Sequence, residues 1–212
     1  MIRRHRTLFA ISATVAAAAV LVPAFAAAQD LHPSRRKSPL GMERTMVGDA
    51  YVKITYGQPY KRDRDNIFGT KESGAVVPYG EVWRTGANEA TEITVTKDVL
   101  VAGKKLAAGT YSLFTTPGAE SWKFHFNSLL GLDGTGYFDP VAEKFTPADL
   151  PKSDVLVVEV KPVTLAAASE VDQLTFEFEK TATGVDMILR WIRTEVRLPL
   201  AAQCQPQVIQ CQ

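Results

Sequence analysis

The residue types best suited to chemistry crowd into one stretch, Trp83-Arg84-Thr85-Gly86-Ala87-Asn88-Glu89-Ala90-Thr91. It supplies an indole, a guanidinium, an amide, a carboxylate and two hydroxyls. A flat ring beside polar groups that fix orientation is how a protein holds a sugar or another small polar ligand. Tyr56, Arg64 and Tyr79 belong to the same irregular region. The candidate ligand-binding set is therefore Tyr56, Arg64, Tyr79, Trp83, Arg84, Asn88 and Glu89. Each has a structural alternative. Trp83 could be core, and Glu89 could pair with Arg84 or Arg64, because a forked guanidinium–carboxylate contact fixes a loop as well as a ligand.

Bond-breaking chemistry has less to stand on. Glu81 and Glu89 flank Trp83-Arg84, and a glycosidase needs two carboxyl groups roughly 5–9.5 Å apart. The alternatives to binding are thus a hydrolase using Glu89 with another carboxylate, and a structural envelope protein. No G-x-S-x-G elbow is present. His32 and His125 belong to no H-x-H or H-E-x-x-H arrangement, so no metal site follows from them. Asp133 and Asp139 sit by the Gly-rich stretch 131–136 without calcium-loop spacing. They read as turn residues. No catalytic residue, metal or cofactor is assigned, and binding is preferred to catalysis.

The elements that must position these groups read as strands. Val52, Ile54 and Tyr56 alternate with Lys53 and Thr55, which is the period of a half-buried strand. Ile93 and Val95, then Trp122, Phe124 and Phe126, repeat the pattern. So do Leu174, Phe176 and Phe178, and finally Met187, Leu189 and Trp191. Trp122 and Trp191 read as core. Residues 155–160 are apolar on both faces, which suits a central strand. About nine short strands separated by Gly, Pro, Asn or Asp predict an all-β fold, an antiparallel β-sandwich, with the jelly roll as one form of it. Residues 57–91 break the alternation. They hold Ile67, Phe68, Val77, Tyr79 and Trp83, too apolar for disorder, and predict one long loop packed on the sandwich.

The same residues carry a resemblance. The stretch 83–91 resembles the signature of the bacterial domain-of-unknown-function family 2911. So do Tyr56-Gly57-Gln58-Pro59, the Arg64 to Ile67-Phe68-Gly69 pairing, Pro78-Tyr79-Gly80, and Ala108-Gly109-Thr110-Tyr111-Ser112-Leu113-Phe114. The resemblance covers about residues 38–200, with Lys71–Ser73 and Gly74 as a small insertion. It implies an exported bacterial domain and brings no activity, substrate or catalytic residue.

The chain opens with Arg3, Arg4, His5 and Arg6, then an apolar run ending in Ala26-Ala27-Ala28. Small residues at 26 and 28 fit a cleaved secretory signal over residues 1–28. A retained membrane anchor is the alternative, although Ala, Ser and Thr weaken the run. Residues 29–45 read as a flexible arm whose Arg35-Arg36-Lys37 triplet is solvated, 46–201 as the single domain and 202–212 as a tail. The expected location is periplasmic or secreted, with no membrane span after cleavage. Of 24 Lys and Arg against 23 Asp and Glu, cleavage removes three cations and leaves a slightly acidic domain. That balance excludes nucleic acid as a partner class. Cys204 and Cys211 predict a disulfide pinning a Gln-rich tail in an oxidising compartment, with free thiols as the alternative.

Overall fold

A computed structural model describes residues 36–203. The expected signal at 1–28, the expected arm up to residue 35, and Cys204 and Cys211 with their expected disulfide lie outside the described residues.

Sixteen strands form. In chain order they begin β1 (Leu40–Val47), β2 (Ala50–Gly57), β3 (Phe68–Gly69), β4 (Val77–Pro78), β5 (Thr91–Val95), β6 (Val99–Val101), β7 (Lys104–Leu106) and β8 (Gly109–Thr116). They continue β9 (Trp122–Asn127), β10 (Gly136–Asp139), β11 (Lys144–Pro147), β12 (Asp154–Val160), β13 (Pro162–Thr164), β14 (Val171–Lys180), β15 (Val185–Ile192) and β16 (Thr194–Ala202). One helical turn, α1 (Leu150–Ser153), precedes β12. No helix among the described residues is long and apolar enough to cross a membrane.

Two antiparallel sheets carry the fold. The first runs β1-β2-β5-β8-β9-β12. The second runs β14-β15-β16-β6-β7, with β13 also paired to β16. The expected all-β sandwich is what the chain builds. The period-two pattern explains why the sheets face each other. Val52, Ile54 and Tyr56 of β2, and Trp122, Phe124 and Phe126 of β9, are buried on one side. Leu174 and Phe176 of β14, and Met187, Leu189 and Trp191 of β15, are buried on the other. All belong to one continuous core, and each large side chain removed from water contributes roughly 1.5–3 kcal/mol.

Two expectations need correction. Residues 155–160 do not form a central strand, because β12 is the last strand of the first sheet and pairs only with β9. Val155 and Val157 are exposed there. An apolar run on both faces also suits an edge strand whose outer face is only partly covered. The supposed arm is in the sheet from Leu40 onward, since all eight residues of β1 pair with β2. The strands also outnumber the roughly nine expected, because two- to four-residue strands such as β3, β4 and β13 are too short to show a period.

A smaller cluster of Ala90, Phe114, Leu132 and Leu150 packs apart from the main core. It anchors the segment between β9 and β12 that carries the β10–β11 hairpin.

Charge is also organised on the second sheet. The Glu195 carboxylate accepts from Arg190 Nε at 2.6 Å and from Arg197 Nε at 2.7 Å. Burial pushes this carboxyl up, but the Arg197 and Arg190 hydrogen bonds and charges outweigh it, so its pKa falls below the usual carboxylate value. A depressed folded-state pKa gives stability that is present above the unfolded value, about 4.3, and is lost as pH falls through the folded one. Glu195→Ala, which removes one carboxylate partner from each of two guanidinium groups, should cost about 1–3 kcal/mol at neutral pH. Urea melts against pH should show the wild type losing more stability than the variant on acidification. Equal melts at both ends would contradict the network.

Candidate functional site

Residues 83–90, up to the start of β5 at Thr91, form no strand or helix of their own and are held from outside. Trp83 and Thr115 exchange backbone hydrogen bonds of 2.7 and 2.9 Å, which places Trp83 beside the end of β8. Its indole stacks on Trp191, with centroids 6.0 Å apart and planes 17° off parallel. Phe68 from β3 meets Trp83, Trp122 and Trp191 edge-on at 5.8, 5.0 and 5.7 Å. Rings from the long loop, the first sheet and the second sheet thus share one cluster. The Trp83 indole N–H donates to the Gly86 carbonyl at 3.1 Å, closing the turn under the ring.

That turn is strained. Thr85, β-branched and fully buried, has φ of 57°, and Asn88 has φ of 65°. Asn accepts the left-handed region readily, but a β-branched residue does so at a cost of about 1–3 kcal/mol. Its neighbours hold it there. The Thr85 hydroxyl donates to the Thr115 hydroxyl at 3.2 Å, and the Thr85 carbonyl accepts from the Thr91 hydroxyl at 3.0 Å. The end of β2 then presses against the turn. A Cβ on Gly57 would lie 2.0 Å from the Ala87 carbonyl oxygen. Only glycine allows the two backbones this close, and Ala87 N–H donates to the Gly57 carbonyl at 3.3 Å.

Beside the turn lies an open cavity of about 630 Å³, within the size range of small-ligand sites. Its wall includes Lys37, Arg62, Arg64, Trp83, Asn88 and Trp191. Asn88 donates from Nδ2 to the Ser38 carbonyl at 2.9 Å, and Arg62 donates from Nη2 to the Lys37 carbonyl at 2.7 Å. These bonds stitch the backbone of residues 37 and 38 along the rim, while the Lys37 side chain stays exposed there. Arg64 donates through Nε to Lys61 O at 3.1 Å and through Nη2 to Tyr60 O at 2.5 Å. Its guanidinium carbon sits 5.8 Å from the Trp191 ring.

The candidate set does not converge on one place. Arg64, Trp83, Arg84 and Asn88 line the cavity. The Arg84 guanidinium ends beside Gly134, which does not line it; a Cβ there would lie 3.1 Å from Arg84 Nη1. Arg84 Nε is buried with no partner among the described residues, and burial alone lowers the guanidinium's pKa. Glu89 pairs with neither Arg84 nor Arg64. It accepts two hydrogen bonds from Arg36, at 2.5 and 2.7 Å. Burial pushes the Glu89 carboxyl up, but Arg36 and Glu89's own backbone N–H bring it below the ordinary value. Glu89 lines a second cavity of about 300 Å³ with Glu92, Leu132 and Tyr56. Tyr56 is buried core, its ring edge-on to Phe176 at 4.8 Å and its hydroxyl accepting from Phe176 N–H at 2.9 Å. Burial raises its pKa. Tyr79 lies elsewhere, in a small recess with Gly118 and Pro162. Glu81 is held by Lys71 at 3.3 Å and lines neither of the two larger cavities.

Sequence reasoning missed Lys37, Arg62 and Asp63 in the wall. It also missed a hydrogen-bonded chain on the first sheet. His125 Nε2 is 3.0 Å from the Thr116 hydroxyl, and Nδ1 is 2.8 Å from Asp154. Asn127 donates to the other Asp154 oxygen at 2.8 Å. The order hydroxyl, imidazole, carboxylate matches a nucleophile–base relay. None of the three lines either of the larger cavities; the chain ties β8, β9 and β12 together. Among the described residues no three His, Cys, Asp or Glu side chains are grouped as a metal site would need.

The model of a protein family described as a protein of unknown function (DUF2911) matches residues 38–200. No curated protein and no solved structure matches the chain.

Gly57→Ala tests the contact that holds the turn. The added Cβ must displace the Ala87 carbonyl, so the substitution should destabilise the domain by about 1–3 kcal/mol in denaturant melts. It should also alter tryptophan emission as Trp83 loses its seat. Unchanged stability and emission would show that the turn is held by something else.

Proposed function

We propose, from the premise that the chain belongs to this family of unknown function, that it is a binding module whose 630 Å³ cavity takes one small polar, carbohydrate-like ligand. The observation that carries the reading is the built wall: an indole and polar side chains fixed in place around an open volume of ligand size. Trp83 is held by its ring cluster, Asn88 by Ser38, and Arg64 by two backbone carbonyls. Groups fixed before the ligand arrives lose little entropy on binding it. The strain at Thr85 supports the same reading, because disfavoured backbone persists where surroundings enforce it, often at ligand sites.

The module works outside the cytoplasm in this reading. The leader at residues 1–28 and the small residues at its end support that from the sequence alone.

Carboxylate catalysis is the second reading, favoured by one observation: Glu89 and Glu92 both line the smaller cavity. Arg36 keeps Glu89 ionised, which suits a nucleophile or base and not a proton donor. Turnover of chromogenic glycosides that disappears in Glu89→Ala would establish it, and equal background rates would end it.

The binding reading is tested by filling the cavity from its rim. Val76 lines it and is 44% exposed, so Val76→Trp should leave the core intact, with stability changed by no more than about 0.5 kcal/mol. A thermal-shift screen of mono- and disaccharides, with charged derivatives included, should find compounds that raise the melting temperature of wild type. They should fail with Val76→Trp. At a hundredfold excess over Kd the gain is about 2.7 kcal/mol. No shift in wild type, or the same shift in Val76→Trp, would contradict the cavity as the site.

A further inference from the structure

We infer that the ligand of this cavity is an anion: a carboxylate, sulfate or phosphate ester on a sugar-sized body, seated by Lys37, Arg62 and Arg64. This rests on the binding reading above and goes beyond it in naming the charge.

Four cationic residues, Lys37, Arg62, Arg64 and Arg84, line the cavity with a single carboxylate, Asp63; the Arg84 guanidinium ends beside Gly134, which leaves Lys37, Arg62 and Arg64 to face a ligand. Elsewhere the domain neutralises its half-buried arginines with carboxylates. Arg190 meets Glu177 and Glu195, Arg197 meets Glu195, Glu179 and Asp186, and Arg36 meets Glu89. In the cavity the arginines are held differently. Arg64 donates to the carbonyls of Lys61 and Tyr60, and Arg62 to the carbonyl of Lys37. A carbonyl fixes a guanidinium in place and leaves its full charge uncompensated. Among the described residues neither arginine, nor Lys37, has an ion-pair partner.

The positions suit a particular division of labour. Arg64 is only partly exposed and rests 5.8 Å from the Trp191 ring centre, so its remaining N–H groups are presented from a fixed plane. That is the geometry for a bidentate contact to a carboxylate or phosphate. Lys37 and Arg62 are exposed on the rim and act as point charges that draw an anion in and screen with salt. Trp83, Val77 and Pro59 supply an apolar wall for the ligand's body. The second cavity offers the opposite character, since its acids Glu89 and Glu92 accompany a single cation, Arg36, already bound to Glu89.

Calorimetric titration of the purified protein with four probes tests this: glucose, glucuronate, glucose 6-phosphate and inorganic phosphate. The two sugar anions should bind at least about tenfold more tightly than glucose. Their affinity should fall as salt rises from about 50 to about 500 mM. Lys37→Met and Arg62→Met should each weaken the anions several-fold and glucose by distinctly less, so that the preference for anions narrows. Asp63→Asn, which removes the wall's carboxylate, should tighten them. The opposite signs of these substitutions separate a charge effect from a folding defect. Inorganic phosphate binding as tightly as glucose 6-phosphate, weakened by Lys37→Met, would assign the site to the anion alone and still support the inference. Glucose binding as well as the anions, with no effect of Lys37→Met or Asp63→Asn, would overturn the anion while leaving the cavity reading intact. No binding by any probe at about 10 mM, roughly ten thousandfold above a micromolar Kd, would overturn both.

Discussion

The stacked contact between Trp83 and Trp191 is what the candidate site of this domain depends on. A sandwich buries the faces of its sheets but leaves their ends open, and the chain between β2 and β5 must cross one of those ends. Within that crossing the pairing among the described residues is limited to the two-residue strands β3 and β4. A ring that buries on the order of 150–250 Å² supplies the packing that secondary structure does not. Trp83 reaches Trp191 of the second sheet, while Phe68 of the same loop reaches Trp122 of the first. Once these rings are seated, the strained turn at Thr85 and the close pass of Gly57 by Ala87 follow as geometric consequences. The cavity is the space left beside them.

Charge is distributed over this frame in two styles. On the outer face of the second sheet, and between Arg36 and Glu89, guanidinium groups meet carboxylates, so local charge cancels and strands or loops are tied. Around the cavity, Arg62 and Arg64 are tied to backbone carbonyls instead. The first style uses the arginine up. The second keeps it available in a fixed orientation, which is the arrangement a recognition site needs. Arg84 belongs to neither group: it is half-buried, its Nε lacks a partner among the described residues, and its tip lies beside Gly134.

Much of the fold was legible because alternation survives in the longer strands. Val52, Ile54 and Tyr56 shared a face on paper and share the core in space. Tyr56 lies on that buried face, so its ring is core and not a ligand contact, and its hydroxyl accepts from Phe176 N–H across the sheets. The packed nature of residues 57–91 was legible from their apolar content. What was hidden depends on distant partners. Glu89 finds Arg36, 53 positions away, and no local pattern encodes such a pair. Lys37 and Arg62 join the wall only because residues 36–39 run along the rim. The edge position of β12 is set by what pairs beyond it, which its own composition cannot report.

The chain has three tryptophans, which allows a direct measurement. Fluorine NMR of protein labelled with 5-fluorotryptophan, each resonance assigned by single substitution, would follow Trp83, Trp122 and Trp191 as glucuronate is added. Trp83 and Trp191 line the cavity, and Trp122 belongs to the same ring cluster without lining it. The account predicts saturable shifts at Trp83 and Trp191 and a much smaller one at Trp122. Three resonances that stay still, or that drift together without saturating, would contradict a ligand site built on the Trp83–Trp191 stack.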